Sequence, residues 1–267
     1  MSIVYGPVPS WRLGRSLGID LLPGRGKACC FGCVYCQLGV TTNPTVERAE
    51  FVKLDILARE LAAVKGVPAD YATFSGTGEP TLASNLGEAI ELARAILGLP
   101  VAVLTNSALI SREDVREELA KADVVVAKLD APDERLFRLI NRPLGSITLE
   151  GVIEGLRRFH SCYRGKFALQ MMFMLENKNA APEMARIAAR LDPDEVQVNT
   201  PLRPCAVAPL SAKEIAAIRE SFAGLNVHTA YEATRPEVEP IDARETLRRR
   251  PGSVGEPEAF PDHSRKG

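Results

Sequence analysis

The sequence predicts an α/β protein: a partial or full (β/α) barrel, with parallel strands inside and helices outside. Two observations carry this. Short apolar runs alternate with longer amphipathic stretches, the pattern of repeated β–α units whose crossovers set successive strands parallel. Polar or glycine-rich groups then follow the first four runs, at Cys29–Cys36, at Gly76–Pro80, at Thr105 and Asn106, and at Asp130. Side chains at the ends of many strands converge on one mouth only when a sheet curls. An open sheet gathers only those beside its switch point.

The strand-like runs are Ser16–Leu22, Asp70–Ser75, Val101–Thr105, Asp123–Leu129, Phe167–Leu175, Glu195–Asn199 and Asn226–Thr229. Between them Leu54, Leu57, Leu61 and Val64, and later Leu86, Ile90, Ala93 and Leu97, recur at helical spacing. Ser211-Ala-Lys-Glu214 is a capping box that should open a helix running to Phe222, and Ser111 reads as another helix start. Residues 1–234 form the expected core. From Arg235 to Gly267 proline, glycine and charge dominate, and Arg248-Arg-Arg-Pro-Gly252 interrupts any helix begun near Asp242, so this tail is expected to be mobile.

Composition excludes several classes. With 46% hydrophobic residues in 267 the chain buries a full core, which rules out global disorder and a disulfide-stapled miniprotein. A net charge of -1 gives no global field toward nucleic acid or anionic lipid. No secretory signal opens the chain and no apolar run reaches the ~20 residues of a membrane span. A cytoplasmic location with reduced thiols is expected.

The strongest signal is Cys29-Cys-Phe-Gly-Cys33-Val-Tyr-Cys36. Cys29, Cys33 and Cys36 give C-x3-C-x2-C with an aromatic, Tyr35, before the last cysteine. Three thiolates can hold three irons of a [4Fe–4S] cluster and leave the fourth open to a small chelating ligand. A ferredoxin run would need a fourth cysteine where Val40 stands, and a structural zinc site needs a second pair, whereas Cys162 and Cys205 lie 43 residues apart. Cys30 is read as a neighbour, and Cys162 and Cys205 as inert thiols.

This motif resembles the signature of the radical S-adenosylmethionine (SAM) superfamily. Further blocks resemble one subgroup of it, the iron–sulfur oxidoreductases grouped with the tRNA wyosine-base synthases. They are Gly6-Pro-Val-Pro-Ser10, Leu17-Gly-Ile-Asp20, Tyr35-Cys-Gln-Leu-Gly39, Ser75-Gly-Thr-Gly-Glu-Pro-Thr-Leu82, Leu104-Thr-Asn106, Leu129-Asp-Ala131 and Asn141-Arg-Pro143. The resemblance implies a radical SAM barrel, a [4Fe–4S] cluster and SAM as cofactors. It also implies reductive cleavage of SAM to a 5′-deoxyadenosyl radical that abstracts hydrogen from a substrate. A low-potential electron donor such as flavodoxin or ferredoxin follows as partner.

Gly76, Thr77, Gly78, Glu79 and Pro80 resemble the superfamily's Gly-Gly-Glu-Pro element, which holds the SAM amino group, with Thr77 in place of its first glycine. Without that context the stretch is a plain strand-to-helix turn. Lys128 and Asp130 share one face of a strand end and are candidate catalytic groups; an ion pair is the alternative. Tyr35, Thr105, Asn106, Gln170 and Asn199 are candidate cofactor contacts. Arg203 is suited to a substrate carboxylate or phosphate, or to a surface pair. Met171, Met172 and Met174 read as core packing.

Two other functions stay open. A wyosine-type synthase is set back by the lack of any cysteine before Cys29 for a second cluster, and by the balanced charge. A non-catalytic iron–sulfur or zinc module is the third reading. Neither nucleic acid nor membrane is an expected partner.

Overall fold

The computed structural model describes residues 2–24 and 26–252. Its strands are β1 (Val4–Ser10), β2 (Gly14–Ile19), β3 (Ala28–Cys29), β4 (Asn43–Pro44), β5 (Tyr71–Phe74), β6 (Val101–Thr105), β7 (Val124–Lys128), β8 (Lys166–Met172), β9 (Glu195–Asn199) and β10 (Val227–Thr229). The helices are α1 (Leu54–Ala63), α2 (Leu86–Leu97), α3 (Glu113–Leu119), α4 (Glu134–Ile140), α5 (Leu149–Cys162), α6 (Ala181–Leu191), α7 (Ala212–Glu220) and α8 (Ala243–Arg249).

One sheet runs β1-β2-β5-β6-β7-β8-β9-β10. From β2 onward every pairing is parallel and each strand lies beside the next in sequence, while β1 is antiparallel to β2. The edge strands β1 and β10 do not pair with each other, so this is a curled half-barrel. Val103, Val125, Phe167, Leu169, Met171 and Val198 face outward and share the main core with Leu86, Ile90, Val115 and Leu156 of the helices. Leu13, Ala102, Val124, Val126 and Ala168 form a smaller cluster on the concave face. Alternation therefore places Lys128, Gln170 and Gln197 on that concave face too, where register aligns them across β7, β8 and β9.

The apolar runs locate β2 and β5–β10 because parallel strands buried on both faces read as nearly continuous hydrophobic segments. Five points differ from expectation. β1 was not foreseen, because Pro7 and Pro9 argue against a strand; at a sheet edge the missing N–H groups are tolerated. The run expected to reach Leu175 ends at Met172, and the helix expected to reach Phe222 ends at Glu220. Ser111 does not cap α3; Arg112 holds that position without a side-chain bond, whereas the Ser211–Glu214 capping box forms as expected. The fifth concerns the tail. Residues 243–249 are helical, capped by Asp242, and packed on β1, with Gly6 N donating to Thr246 Oγ1 (3.1 Å) and Ile241 N to the Gly6 carbonyl (2.7 Å). Tertiary contacts overcome the local disorder signal there; residues 253–267 lie outside the described residues.

Candidate functional site

The cysteine loop hangs between β2 and α1 and is fastened from several sides. Gly32 N donates to the Asn141 carbonyl (3.0 Å), Val34 N to Ile140 (2.9 Å) and Leu144 N to Cys30 (2.9 Å). Buried Cys29 ends β3, and Cys33 and Cys36 follow in a turn closed by Cys36 N on the Cys33 carbonyl (3.1 Å). The Asn106 amide donates to Cys29 Sγ (3.3 Å) and the Asn141 amide reaches Cys33 Sγ (3.6 Å). Lys27 is buried beside the loop. Burial works against its charge, yet Cys36, Cys29 and Cys33 together hold its ammonium above the ordinary lysine value. Cys30 is absent from that group: it is sealed into the core, and burial followed by Glu79 pushes its thiol up. Burial also pushes the Cys29 thiol up to about 12 and raises Cys33.

The second loop touches the first. Glu79 N donates to the Ala28 carbonyl (3.1 Å), and a Cβ on Gly78 would lie 2.2 Å from that same oxygen, so only glycine permits this approach. Gly76 has φ +144° and a Cβ there would meet Asp20 Cγ at 2.3 Å. Thr77, in place of a glycine, turns its hydroxyl inward to Asp20 (2.9 Å) and the Leu22 carbonyl (2.6 Å). The buried Glu79 accepts from Thr105 Oγ1 (2.7 Å), Asn106 N (2.7 Å), Thr81 N (3.1 Å) and Thr81 Oγ1 (2.8 Å). Burial raises its pKa and these donors restrain the rise. Pro80 opens a 3-10 turn behind it.

Tyr35, Lys128 and Asp130 form one unit. Tyr35 donates to Asp130, Lys128 Nζ donates to Tyr35 Oη (3.1 Å), and the ammonium sits 4.4 Å from the ring centre. Asp130 also accepts from the Asn141 amide (2.7 Å) and Met172 N (2.9 Å). Both its oxygens are engaged by protein and the residue is 2% exposed. Buried there, it clasps the cysteine loop to β7–β8. Half-buried Lys128 remains beside Gln170, whose side chain has no hydrogen-bond partner among the described residues. Asn199 is one register step further on the same face, accepting from Thr200 N (2.9 Å). Gln170 and Asn199 lie on the concave wall, Gln170 in register with Lys128. Cys162 is exposed, and the half-buried Cys205 thiol donates to Val207 O (3.2 Å).

Asp20, Asn141, Lys27 and the arginines after Asp242 were not foreseen as site residues. Arg249 carries the clearest role: it pairs with Asp20 (2.8 Å) and Glu245 (2.6 Å) and lies over Tyr5. Arg250 donates to Ser75 Oγ (3.2 Å), Arg248 to the Gly24 carbonyl (2.8 Å), and the Arg249 carbonyl accepts from Gln37 (3.1 Å). A buried-charge signal existed in Asp20, which stands inside the apolar run Ser16–Leu22; nothing local marked its partner.

The family model for the radical SAM superfamily matches residues 25–188. The chain belongs to the radical SAM superfamily. It is also similar to UPF0026 proteins, at 41% identity over 204 residues in Synechocystis (75% of this chain, 76% of that one). Against one in Methanocaldococcus jannaschii identity is 39% over 211 residues (76% and 65%). Among solved structures, SuiB of Streptococcus suis bound to S-adenosylmethionine superposes with TM-score 0.57 at 17% identity, covering 80% of this chain and 51% of that one; this likeness is one of fold. The chain thus spans less than two thirds of the Methanocaldococcus relative and about half of SuiB. Among the described residues no helix is long and apolar enough to cross a membrane.

Radical SAM proteins use a [4Fe–4S] cluster and SAM, and the residues present fit such a cluster. Asn141 Oδ1 is buried without a partner beside the loop. Two side-chain amides already point donors at sulfur, the kind of outer contact that tunes thiolate ligands. Raised thiols next to a buried ammonium also describe a site whose thiolates need further positive charge to persist.

Proposed function

We propose that this radical SAM protein is an enzyme holding a [4Fe–4S] cluster through Cys29, Cys33 and Cys36, with SAM against the Gly76–Pro80 loop. The carrying observation is that the three thiols of C-x3-C-x2-C share one buried cation, Lys27, and abut that glycine loop through the Ala28 carbonyl. When bound, the cluster and SAM supply a 5′-deoxyadenosyl radical for hydrogen abstraction. The chain's own part is placement. Asn106 and Asn141 orient two thiolates, Asp130 fixes Tyr35 and Lys128 beside the loop, and Glu79 locks Thr105 and Asn106 to the SAM side. Burial of Cys29 and Cys30 keeps solvent from that edge. Lys128, over the Tyr35 ring, is the charged group best placed to meet a ligand at the mouth. The motif blocks resemble those of the subgroup grouped with the wyosine-base synthases, whose reaction is not assigned to this chain. A reducing flavodoxin or ferredoxin completes the reading.

Anaerobic reconstitution tests it. Wild type and Cys30→Ala should bind about four irons per chain and yield 5′-deoxyadenosine from SAM and dithionite. Cys33→Ala should lose both. Undiminished 5′-deoxyadenosine from Cys33→Ala, or one zinc per chain in place of iron, would refute it.

A further inference from the structure

The thiols of the cysteine loop are not served alike. Cys29 Sγ is met by the Asn106 amide, which its own backbone aims: Oδ1 accepts from Ala108 N (2.8 Å) while Nδ2 donates to sulfur (3.3 Å). Cys33 Sγ is met by Asn141, and that amide is aimed by other side chains. Its Nδ2 donates to Asp130 Oδ2 (2.7 Å) and lies 3.4 Å from Tyr35 Oη and 3.6 Å from Cys33 Sγ. A carboxylate only accepts, so the nitrogen is the atom that must face Asp130. Oδ1 is thereby turned the other way, where it is buried without a partner. A bare buried acceptor is destabilising, and what the arrangement gains is a pair of N–H groups held on the Cys33 side.

The backbone fixes Asn141 on the same loop. Its carbonyl accepts from Gly32 N (3.0 Å) and its N–H donates to the Phe137 carbonyl (2.8 Å). The next residue, Arg142, has φ +47°, a left-handed conformation uncommon outside glycine, and it stands before Pro143. Its carbonyl also accepts from Gly32 N (3.2 Å). Backbone strain and an unmet acceptor thus fall on adjacent residues, and both leave one amide directed at one sulfur. The other end of this network reaches the mouth. Lys128 Nζ donates to Tyr35 Oη (3.1 Å) and stands 4.4 Å from the ring centre; Tyr35 donates to Asp130, which accepts from Asn141. Lys128 has no ion pair among the described residues, so only the hydroxyl and the ring face answer its charge. The Cys33 thiol responds to the same groups: burial raises it most, Lys128 lowers it, Asp130 raises it and the Asn141 hydrogen bond lowers it.

We propose that Asn141 is a positioning residue that sets the reduction potential of the cluster through Cys33, and that Tyr35 and Asp130 couple it to Lys128, so that charge at the mouth is felt at the cluster. This rests on the reading that Cys33 ligates a [4Fe–4S] cluster. Hydrogen bonds to ligand sulfur and a cation held nearby both favour the reduced, more negative cluster. Docking the Lys128 ammonium on the Tyr35 hydroxyl keeps that positive charge in place, and an anionic group engaging Lys128 offsets it. Linkage makes the effect reciprocal: whatever engages Lys128 binds the oxidised and reduced protein with different affinity. Asn106 at Cys29 lacks this connection, because its amide is aimed locally by Ala108 N.

The test is an anaerobic redox titration of the full reconstituted chain, without SAM, followed by the EPR signal of the reduced cluster. Asn141→Leu, which keeps the side-chain volume, should make reduction about threefold less favourable, a potential about 28 mV more negative at 59 mV per tenfold. Lys128→Met should move the potential in the same direction. Tyr35→Phe keeps the ring but frees Lys128, so Lys128→Met should shift the potential less in the Tyr35→Phe background than in wild type. These two variants, a half-buried side chain and the loss of one oxygen, decide the coupling even where Asn141→Leu does not fold. Asn106→Leu should lower the potential and leave the effect of Lys128→Met undiminished. An unchanged potential in Asn141→Leu, or Lys128→Met and Tyr35→Phe effects that simply add, would overturn the proposal. A wild-type cluster that cleaves SAM at a potential indifferent to these residues sinks this proposal alone. A wild type that takes up no iron sinks the cluster reading itself.

Discussion

Replacing Arg249 by methionine asks how far the tail supports the site. The Arg249 side chain has no exposed surface and Asp20 is 1% exposed, so the pair is fully inside the protein. Methionine keeps the volume over Tyr5 but leaves Asp20 with only neutral donors: Thr77 Oγ1 (2.9 Å), Thr77 N (3.2 Å) and Leu22 N (3.0 Å). Removing one member of a buried pair costs about 3–5 kcal/mol because the other charge stays behind. For a chain of this size that corresponds to a fall in Tm of roughly 6–12 °C at the lower figure. Thermal unfolding of wild type, Arg249→Met, Asp20→Asn and the double variant gives the coupling directly. The double variant should be more stable than Arg249→Met, since no charge is stranded. SAM affinity should fall in the single variant, because Asp20 anchors Thr77 inside the glycine loop. A chain ending at Arg250 should keep wild-type stability, and one ending at Ile241 should behave like Arg249→Met. A loss below about 1 kcal/mol, the value of an exposed pair, would refute the reasoning.

Two further perturbations follow from the geometry. Gly78→Ala puts a methyl 2.2 Å from the Ala28 carbonyl, which must move the strand leading into Cys29; iron content and SAM binding should both drop, while Gly98→Ala, in a helix-ending turn with open space around it, should leave both intact. Glu214 is held down to about 2 by Lys178, with Ser211 N and its hydroxyl assisting. Its contribution is complete above the ordinary carboxyl value of about 4.5 and disappears as pH falls through about 2. The urea midpoint of Glu214→Gln should therefore trail wild type at pH 6 and converge on it toward pH 2; a gap independent of pH would contradict this.

What could be read from the sequence divides by range. Periodicity is local, so Val101–Thr105 and Glu195–Asn199 appear where the runs place them. The cysteine spacing and the glycine loop are local too, and they led to the cluster and to a mouth built from several strand ends. The burial of Asp130 is not local, because a charge at a strand end looks solvent-facing until Tyr35, 95 residues away, is seen to cover it. Arg249 misled more, since its partner lies 229 residues away and its own surroundings are proline and charge. Arg12 gave no signal at all; an arginine in a hairpin turn is ordinarily solvated. What distinguishes it is a buried Nε with no hydrogen-bond partner among the described residues, which only the assembled sheet reveals.

Residues 241–250 therefore pack as part of the described fold, and the reason lies in the shape of the sheet. A half-barrel leaves β1 as an unpaired edge, a hazard that proteins cover or interrupt. Pro7 and Pro9 interrupt it, and α8 covers it. Once α8 is there, its last turn lies beside both site loops, and three consecutive arginines reach Gly24, Asp20 and Ser75. Closing the edge and bracing the site are thus one act of packing. It follows that a core cut at residue 234 would lose the edge cover and the Asp20 clamp together, whereas insertions after Arg250 touch neither.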